Sequence, residues 1–421
     1  MGEIHRKTSS GIDVYFYPNM ALHGFHMSLY VRAGSLYENE DTQGMTHFLE
    51  HIAIRNINYR MKGNLYRMLD KYGLEFNAST YRDMIQFYVS GAAERFFVGV
   101  GLLTELFSAL ELPTPEMEAE RRRVKAEIRE GDERTSLSNF TAAALYPDGT
   151  GRYPIVGTAT SIATISRSAL ELYREEVMCA ENIFLYVTGR VSEADIPAFL
   201  RALESCPVTH GVRRENVMPR PAAFGQRFGA VRVKVADYTV MRFNFDVDMT
   251  KVTPAECDLL YDLLFTGYNA RFFLEMSERR GLCYDISGSV DRYRNIGNFS
   301  FSFEVKPKDL KEALACSVRL LREVGETPPK EEEIPRATYV DNNGLLYDDA
   351  AELNFTFAYD VHVLGCPYES LEDRKAAYAA VTPERLSEIA REIFRFDNCL
   401  LTAKGHFSDT TFITEILRGL F

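Results

Sequence analysis

The sequence predicts an α+β protein of two similar domains, each a mainly antiparallel sheet packed with helices. Three observations carry that expectation. At 421 residues the chain exceeds what one ordinary core organises, and it suits two domains of about 200 residues each. Strand-like alternation appears in both halves: Phe25, Met27, Leu29 and Val31 interleave with His26, Ser28, Tyr30 and Arg32, and Phe299, Phe301, Phe303 and Val305 with Asn298, Ser300, Ser302 and Glu304. That is the period of a half-buried strand. The third observation is a repeat: Phe184 to Leu203 reads strand, glycine, Ser-acid cap, helix, and Cys399 to Leu420 reads the same.

Residues 1–207 form the first expected domain and 226–421 the second. Between them, 208–225 has the texture of a linker, with Gly211, Pro219, Pro221 and Gly225 among polar residues. Hydrophobic residues at 46% and charged residues at 26% argue for a folded chain. Lys+Arg 48 against Asp+Glu 60 gives a net charge of −12, which argues against nucleic acid as the main partner. The N-terminus shows no apolar signal region, and no run approaches the length of a membrane span. The seven cysteines are dispersed and never paired as Cys-x-x-Cys, so reduced thiols in a cytoplasmic protein are expected.

Taken in order, Val14 and Phe16 suggest a strand that partners the Phe25–Val31 segment. An acidic loop follows (Glu38, Glu40, Asp41), and a helix then begins near Gly44. A second helix presents Leu65, Met68, Leu69 and Tyr72 on one face and stops at Gly73. Phe76 to Thr80 leads into the strand-favouring Met84–Val89 stretch. An apolar-faced helix runs from Phe97 to Leu110, and Pro113 and Pro115 break it. A charged helix spans Glu116 to Glu130, where Arg121-Arg122-Arg123 reads as a solvated face. Another helix, Leu170 to Val177, precedes the Asn182–Gly189 strand. In the second half, Asn354-Phe355-Thr356 and the helix from Pro383 to Phe394 parallel Asn139-Phe140-Thr141 and the helix near Leu170.

The chemistry concentrates in His47-Phe48-Leu49-Glu50-His51. On a helix, His47 and His51 stand one turn apart, with Glu50 three residues from His47 on the same side. Two neutral imidazoles at that spacing can bind one Zn²⁺, and the carboxylate beside them can take a proton from water. The order is that of the inverted metallopeptidase motif. By itself the pentapeptide also fits a polar helix face with two surface histidines. The second half has no such motif.

The agreement is wider than the pentapeptide. Ala33-Gly34-Ser35, Gly44 to His51, Gly73, Asn77-Ala78-Ser79-Thr80, Glu120 with Glu127, Gly157-Thr158 and Asn182 to Gly189 together resemble, in order, the insulinase or pitrilysin group of zinc metallopeptidases. The likeness is to short two-domain subunits similar to mitochondrial processing peptidase and its bacterial relatives. The resemblance implies a zinc-dependent endopeptidase that hydrolyses peptides or unfolded segments in a chamber. It implies Glu127 as the third metal ligand beside His47 and His51, Glu50 as general base, and Glu120 behind the ligands orienting His51 or the helix, with a plain salt bridge as the other reading of Glu120. Asn77 and Ala78 match the sheet edge where that family adds its peptide as a strand. An alternative within the family is a non-catalytic scaffold or assembly subunit.

The second half resembles the family more loosely, through Arg279-Arg280-Gly281-Leu282-Cys283-Tyr284. The family places a substrate-contacting Arg and Tyr seven residues apart. Tyr284 matches the Tyr, but Ser277 stands at the Arg position. A hydroxyl cannot replace a guanidinium in holding a carbonyl oxygen. The resemblance therefore implies a heterodimer in which a related second subunit supplies the Arg/Tyr pair, with a homodimer that tolerates Ser277 as the other reading.

Overall fold

Strands β1 (Ile4–Lys7), β2 (Asp13–Pro18), β3 (Gly24–Val31), β4 (Glu75–Thr80), β5 (Ile85–Ala92) and β6 (Ile183–Gly189) form one sheet in the order β1-β2-β6-β3-β5-β4. Strands β7 (Phe228–Arg232), β8 (Thr239–Val247), β9 (Ile286–Arg292), β10 (Gly297–Val305) and β11 (Cys399–Gly405) form the other, in the order β7-β11-β8-β10-β9. The computed structural model describes residues 2–131, 135–221, 227–341 and 348–421, so 222–225 of the expected linker lie outside the described residues. In each sheet one pair is parallel, β2 with β6 and β7 with β11, and the pairs that follow are antiparallel. The duplication read from sequence is thus a duplication of topology, and the fold is α+β.

The two compact units are discontinuous in sequence. One comprises Met1–Glu133, Tyr153–Asn216 and Gly344–Tyr368; the other comprises Arg134–Arg152, Val217–Asn343 and Glu369–Phe421.

In the first unit the helices α1 (Met45–Arg60), α2 (Leu65–Tyr72), α3 (Phe96–Thr104) and α4 (Thr114–Glu130) accompany the sheet. Phe16, Phe25, Leu29, Phe48, Leu185 and Phe199 lie in their shared core. Removing each such side chain from water stabilises the fold by roughly 1.5–3 kcal/mol before entropy is counted. Helix α3 ends at Thr104, with a 3-10 turn at Glu105–Phe107, short of the expected Leu110.

Strand β3 is not half-buried as its alternation suggested: His26, Ser28, Tyr30 and Arg32 are buried too. The Ala350–Phe357 helix, from the last quarter of the chain, covers that second face. Its Asn354 donates to the Tyr186 carbonyl at 2.9 Å and accepts from the Tyr30 hydroxyl at 2.8 Å. Gln86 Nε2 donates to Ser28 Oγ and to Tyr30 Oη, each at 3.1 Å. His26, Ser28 and Tyr30, which alternation assigns to solvent, are here satisfied by Ser90, Gln86, Asn354 and one another, while Arg32 donates to the His362 carbonyl at 2.9 Å.

In the second unit the matching position is taken by α5 (Leu137–Leu145), which comes from the first half of the sequence and packs on β11 and β7. Ser136 accepts from the Asn139 N–H to cap it, and Thr141 Oγ1 meets Thr402 Oγ1 at 2.7 Å. The paired segments around Asn139 and Asn354 both lie on helices that close a sheet face. Phe243, Phe245, Phe299 and Phe301 fill the core on the other side.

Candidate metal centre

Helix α1 starts where Gly44 takes φ 79°, with no side-chain cap of its own. The cap comes from the preceding loop: Glu38 accepts from the backbone N–H groups of Gly44 and Thr46, each at 2.8 Å. A carboxylate at this end satisfies two orphan donors and complements the helix dipole. Glu38, read from sequence as part of an acidic loop, is buried. Burial pushes its carboxyl up, and the two N–H donors oppose that shift. The first turn is further tied down by Thr46, whose hydroxyl lies 2.6 Å from that of Tyr173.

On α1, His47 and His51 face Glu127 of α4. His47 Nε2 lies 3.6 Å from Glu127 Oε1, and His51 Nε2 lies 3.5 Å from Glu127 Oε2. The potential ligand atoms of the three residues all fall within 4.8 Å of one another. These separations exceed ordinary hydrogen bonds, so three lone-pair donors surround a gap instead of bonding across it. His47 Nδ1 is buried without a hydrogen-bond partner among the described residues. Burial, then the neighbouring His51, pushes the His47 pKa down to about 3, which keeps its lone pair available. Two imidazoles and a carboxylate match a zinc set that leaves a coordination position open, so the residues fit the ion.

Glu120, two turns before Glu127 on α4, is buried and places Oε1 2.9 Å from His51 Nδ1. For His51 the burial that would lower its pKa is outweighed by the Glu120 hydrogen bond and the nearby carboxylates, and the net shift is upward. Glu50 is also buried. Burial raises its carboxyl, the Thr80 hydrogen bond and His51 oppose the shift, and Glu127 adds to it. The Thr80 hydroxyl donates to Glu50 Oε2 at 2.6 Å.

Besides Glu38, sequence reasoning left Thr80 and Arg121 without a role. Thr80 sits at the end of a quoted motif, but its contact with Glu50 crosses from β4 to α1 and has no local signature. Arg121 was read as part of a solvated face, and the structure corrects that: it is buried, while Arg122 and Arg123 are exposed. Its guanidinium lies 4.9 Å from the Phe48 ring centroid and donates to the Ile162 and Ile165 carbonyls. It thereby braces α4 against the middle of the histidine motif, by cation–π contact and charged hydrogen bonds.

Asn77 and Ala78 lie on β4, which ends its sheet and packs beside α1. Asn77 Oδ1 accepts from the Ala78 N–H at 2.9 Å. In the second unit Ser277 falls within a π-helical turn, Phe273–Arg279, and its hydroxyl donates to the Tyr284 carbonyl at 3.3 Å. The Tyr284 side chain is 93% exposed. Arg279 and Arg280 both pair with Glu275, and Arg280 also reaches Glu312.

The family model described as insulinase, peptidase family M16, matches residues 23–159, and that of the peptidase M16 inactive domain matches residues 164–338. The chain belongs to the M16 insulinase family. A Mycobacterium bovis relative named an uncharacterized zinc protease is 23% identical over 385 residues, covering 89% of this chain and 86% of its own. The mitochondrial-processing peptidase subunit beta of Blastocladiella emersonii is 25% identical over 189 residues, 44% of this chain and 41% of that one. Among solved structures, a peptidase M16 inactive domain from Pseudomonas fluorescens superposes with TM-score 0.87 at 16% identity, covering 98% of this chain and 100% of that one. A Helicobacter pylori protease gives TM-score 0.85 at 17% identity, covering 96% and 99%. No helix among the described residues is long and apolar enough to cross a membrane.

Proposed function

We propose that this M16 chain is a zinc-dependent endopeptidase, with His47, His51 and Glu127 holding the ion and Glu50 serving as general base. The observation that carries the reading is the convergence of those three ligands within 4.8 Å, with a buried carboxylate beside them. Zinc in such a site supplies a Lewis acid that polarises a carbonyl and acidifies water. The chain's own residues do the rest. Thr80 occupies Glu50 Oε2, so Oε1 is the oxygen left to take the proton from the attacking water and return it to the leaving amine. Glu120 holds His51 by Nδ1 and directs Nε2 at the metal position. The free edge of β4, with Asn77 and Ala78, receives the peptide as an added strand, so main-chain pairing gives affinity with little demand on sequence.

The heterodimer reading belongs to the same proposal. Ser277 is engaged with a backbone carbonyl, and Arg279 and Arg280 are held by Glu275, so none of them offers the guanidinium that would partner Tyr284. A related subunit supplies it. None of the seven cysteines is in a disulfide, as a reducing cytoplasmic setting favours. Metal analysis of the purified chain, beside a Glu127→Ala variant, tests the centre: about one zinc per chain is expected in the first and strong depletion in the second. Cleavage of an unfolded test protein by this chain alone, as fast as any mixture with a related chain achieves, would refute the partner requirement.

A further inference from the structure

The two sheets carry the same asparagine contact at equivalent places. In the first unit Val31 of β3 pairs with Ile183 of β6, and Asn182, just before β6, donates from Nδ2 to the carbonyls of Arg32 at 3.0 Å and Val177 at 2.9 Å. In the second, Phe245 of β8 pairs with Cys399 of β11, and Asn398 donates from Nδ2 to the carbonyls of Asp246 at 2.9 Å and Ile393 at 2.8 Å. Val177 and Ile393 each end the helix that leads into the strand. Arg32 and Asp246 are therefore equivalent positions, as are Asn182 and Asn398. Their surroundings differ. The Arg32 guanidinium donates to the His362 carbonyl at 2.9 Å and lies 4.8 Å from the Phe184 ring centroid, and Asn182 Oδ1 accepts from the Arg214 N–H at 2.9 Å. The Asp246 carboxylate and Asn398 Oδ1 accept no hydrogen bond among the described residues, and both residues line a cavity of about 570 Å³. We propose that this cavity binds a small zwitterion, a free amino acid or a short peptide, with its ammonium group on Asp246 and Asn398 and its carboxylate on Arg220.

Asp246 is partly buried near the end of β8. Burial pushes its carboxyl up to about 7, against the lowering pull of Arg220. A carboxylate taken from water without a donor is costly, and an ammonium group beside it removes that cost. Arg220 is exposed at the mouth, and its charge reaches Asp246 without forming an ion pair among the described residues. Met218 fixes the chain beside it: its N–H donates to Asn295 Oδ1 at 3.0 Å, and its carbonyl accepts from Asn295 Nδ2 at 2.9 Å. Elsewhere on the lining, Lys251 pairs with Asp248 at 3.4 Å, Arg395 pairs with Asp397 at 2.9 Å, and Glu392 is exposed. Of the lining carboxylates, Asp246 alone is both withdrawn from solvent and without a donor among the described residues.

An ammonium group offers three donors and one positive charge, which suits a carboxylate and an amide oxygen on one wall. A guanidinium at the mouth takes a carboxylate in a two-bond fork. The buried side chains of Val247, Val252 and Ile296 supply an apolar wall for an aliphatic side chain. The volume lies within the roughly 300–1,000 Å³ of small-molecule sites. A calcium ion fits poorly, because it takes about six to eight oxygen ligands and Arg220 would repel it.

The probes are L-leucine and L-leucyl-L-leucine, titrated by isothermal calorimetry against the full chain carrying Glu50→Gln. Mass spectrometry verifies that the dipeptide stays whole. Saturable binding is expected, and the tighter probe tells a free amino acid from a peptide. Asp246→Asn should weaken both at least about tenfold, with zinc content unchanged. Arg220→Gln should weaken leucine by about tenfold and leave 3-methylbutylamine, which has no carboxylate, unaffected. N-acetylleucine, which has no ammonium group, should not bind. Because the Asp246 carboxylate has no donor to lose, Asp246→Asn should melt no lower than the parent. The proposal is overturned if neither probe saturates, if binding survives Asp246→Asn undiminished, if N-acetylleucine binds as well as leucine, or if Arg220→Gln weakens the amine as much as the amino acid. A lower melting temperature for Asp246→Asn would overturn it too, by giving the carboxylate a structural partner.

Discussion

His51 Nδ1 and Glu120 Oε1 lie 2.9 Å apart, and this bond decides which imidazole nitrogen faces Glu127. A buried carboxylate that accepts from Nδ1 fixes the tautomer and leaves the Nε2 lone pair for a metal. Glu120→Ala removes the acceptor and frees the ring. A loss of roughly 10–100-fold in zinc affinity is expected, measured by competition with a chromophoric chelator. Unchanged affinity would make the pair a simple interhelical ion pair.

Glu50→Gln keeps the shape of the side chain and removes its basicity. The Thr80 hydroxyl can still donate to the amide oxygen, so the local geometry should hold. Hydrolysis should fall by roughly 10²–10⁴ while zinc content stays the same. Loss of metal and activity together would place Glu50 among the ligands instead. Thr80→Val should lower turnover less, since it removes only the bond that holds Oε2.

The site was legible in sequence to the extent that its parts are local or fall at characteristic spacings. His47, Glu50 and His51 are one helical turn, and Glu120 and Glu127 are two turns of another. Their convergence came from resemblance, because nothing within either helix says that they face each other. Glu38 and Thr80 were missed for the complementary reason: a carboxylate in an acidic loop and a hydroxyl at a strand end look ordinary until the chain brings Gly44 and Glu50 against them. Alternation misjudged β3 in the same way. It reports one apolar face, and the helix bearing Asn354, some 330 residues along the chain, covers the other.

His26 supplies a pH dependence of stability. It is buried, with Nδ1 2.7 Å from Ser90 Oγ and Nε2 3.1 Å from Ser28 Oγ, and burial lowers its pKa to about 4, against a small opposing pull from Asp349. An unfolded histidine titrates near 6.5, so between pH 6.5 and 4 the unfolded chain binds a proton that the folded one refuses. The stabilising contribution is full above pH 6.5 and falls on acidification, by about 3 kcal/mol at pH 4. His26→Gln should flatten this part of the profile. Urea midpoints of both proteins at pH 7.5 and 5 provide the comparison, and equal slopes would exclude His26 as the titrating group.

Gly44 and Gly157 meet at the entrance to α1, and their closeness separates two costs that a single mutant would merge. Both have positive φ, 79° and 72°, and a Cβ on Gly44 would fall 2.7 Å from Gly157 Cα and 2.9 Å from Ile162 Cδ1. Gly73, which ends α2 at φ 61°, has nothing within 4 Å of its Cβ position. Gly73→Ala therefore measures left-handed strain alone, about 1–2 kcal/mol. Gly44→Ala adds a backbone clash that no side-chain rotation relieves, and should cost about 1–3 kcal/mol more. It should also weaken zinc binding, because the Glu38 contacts that set the first turn of α1 start at Gly44 N, while Gly73→Ala should leave the metal untouched. Equal losses of stability in the two variants, with zinc affinity retained in both, would show that the chain yields at Gly157 and that the histidine helix does not depend on this approach.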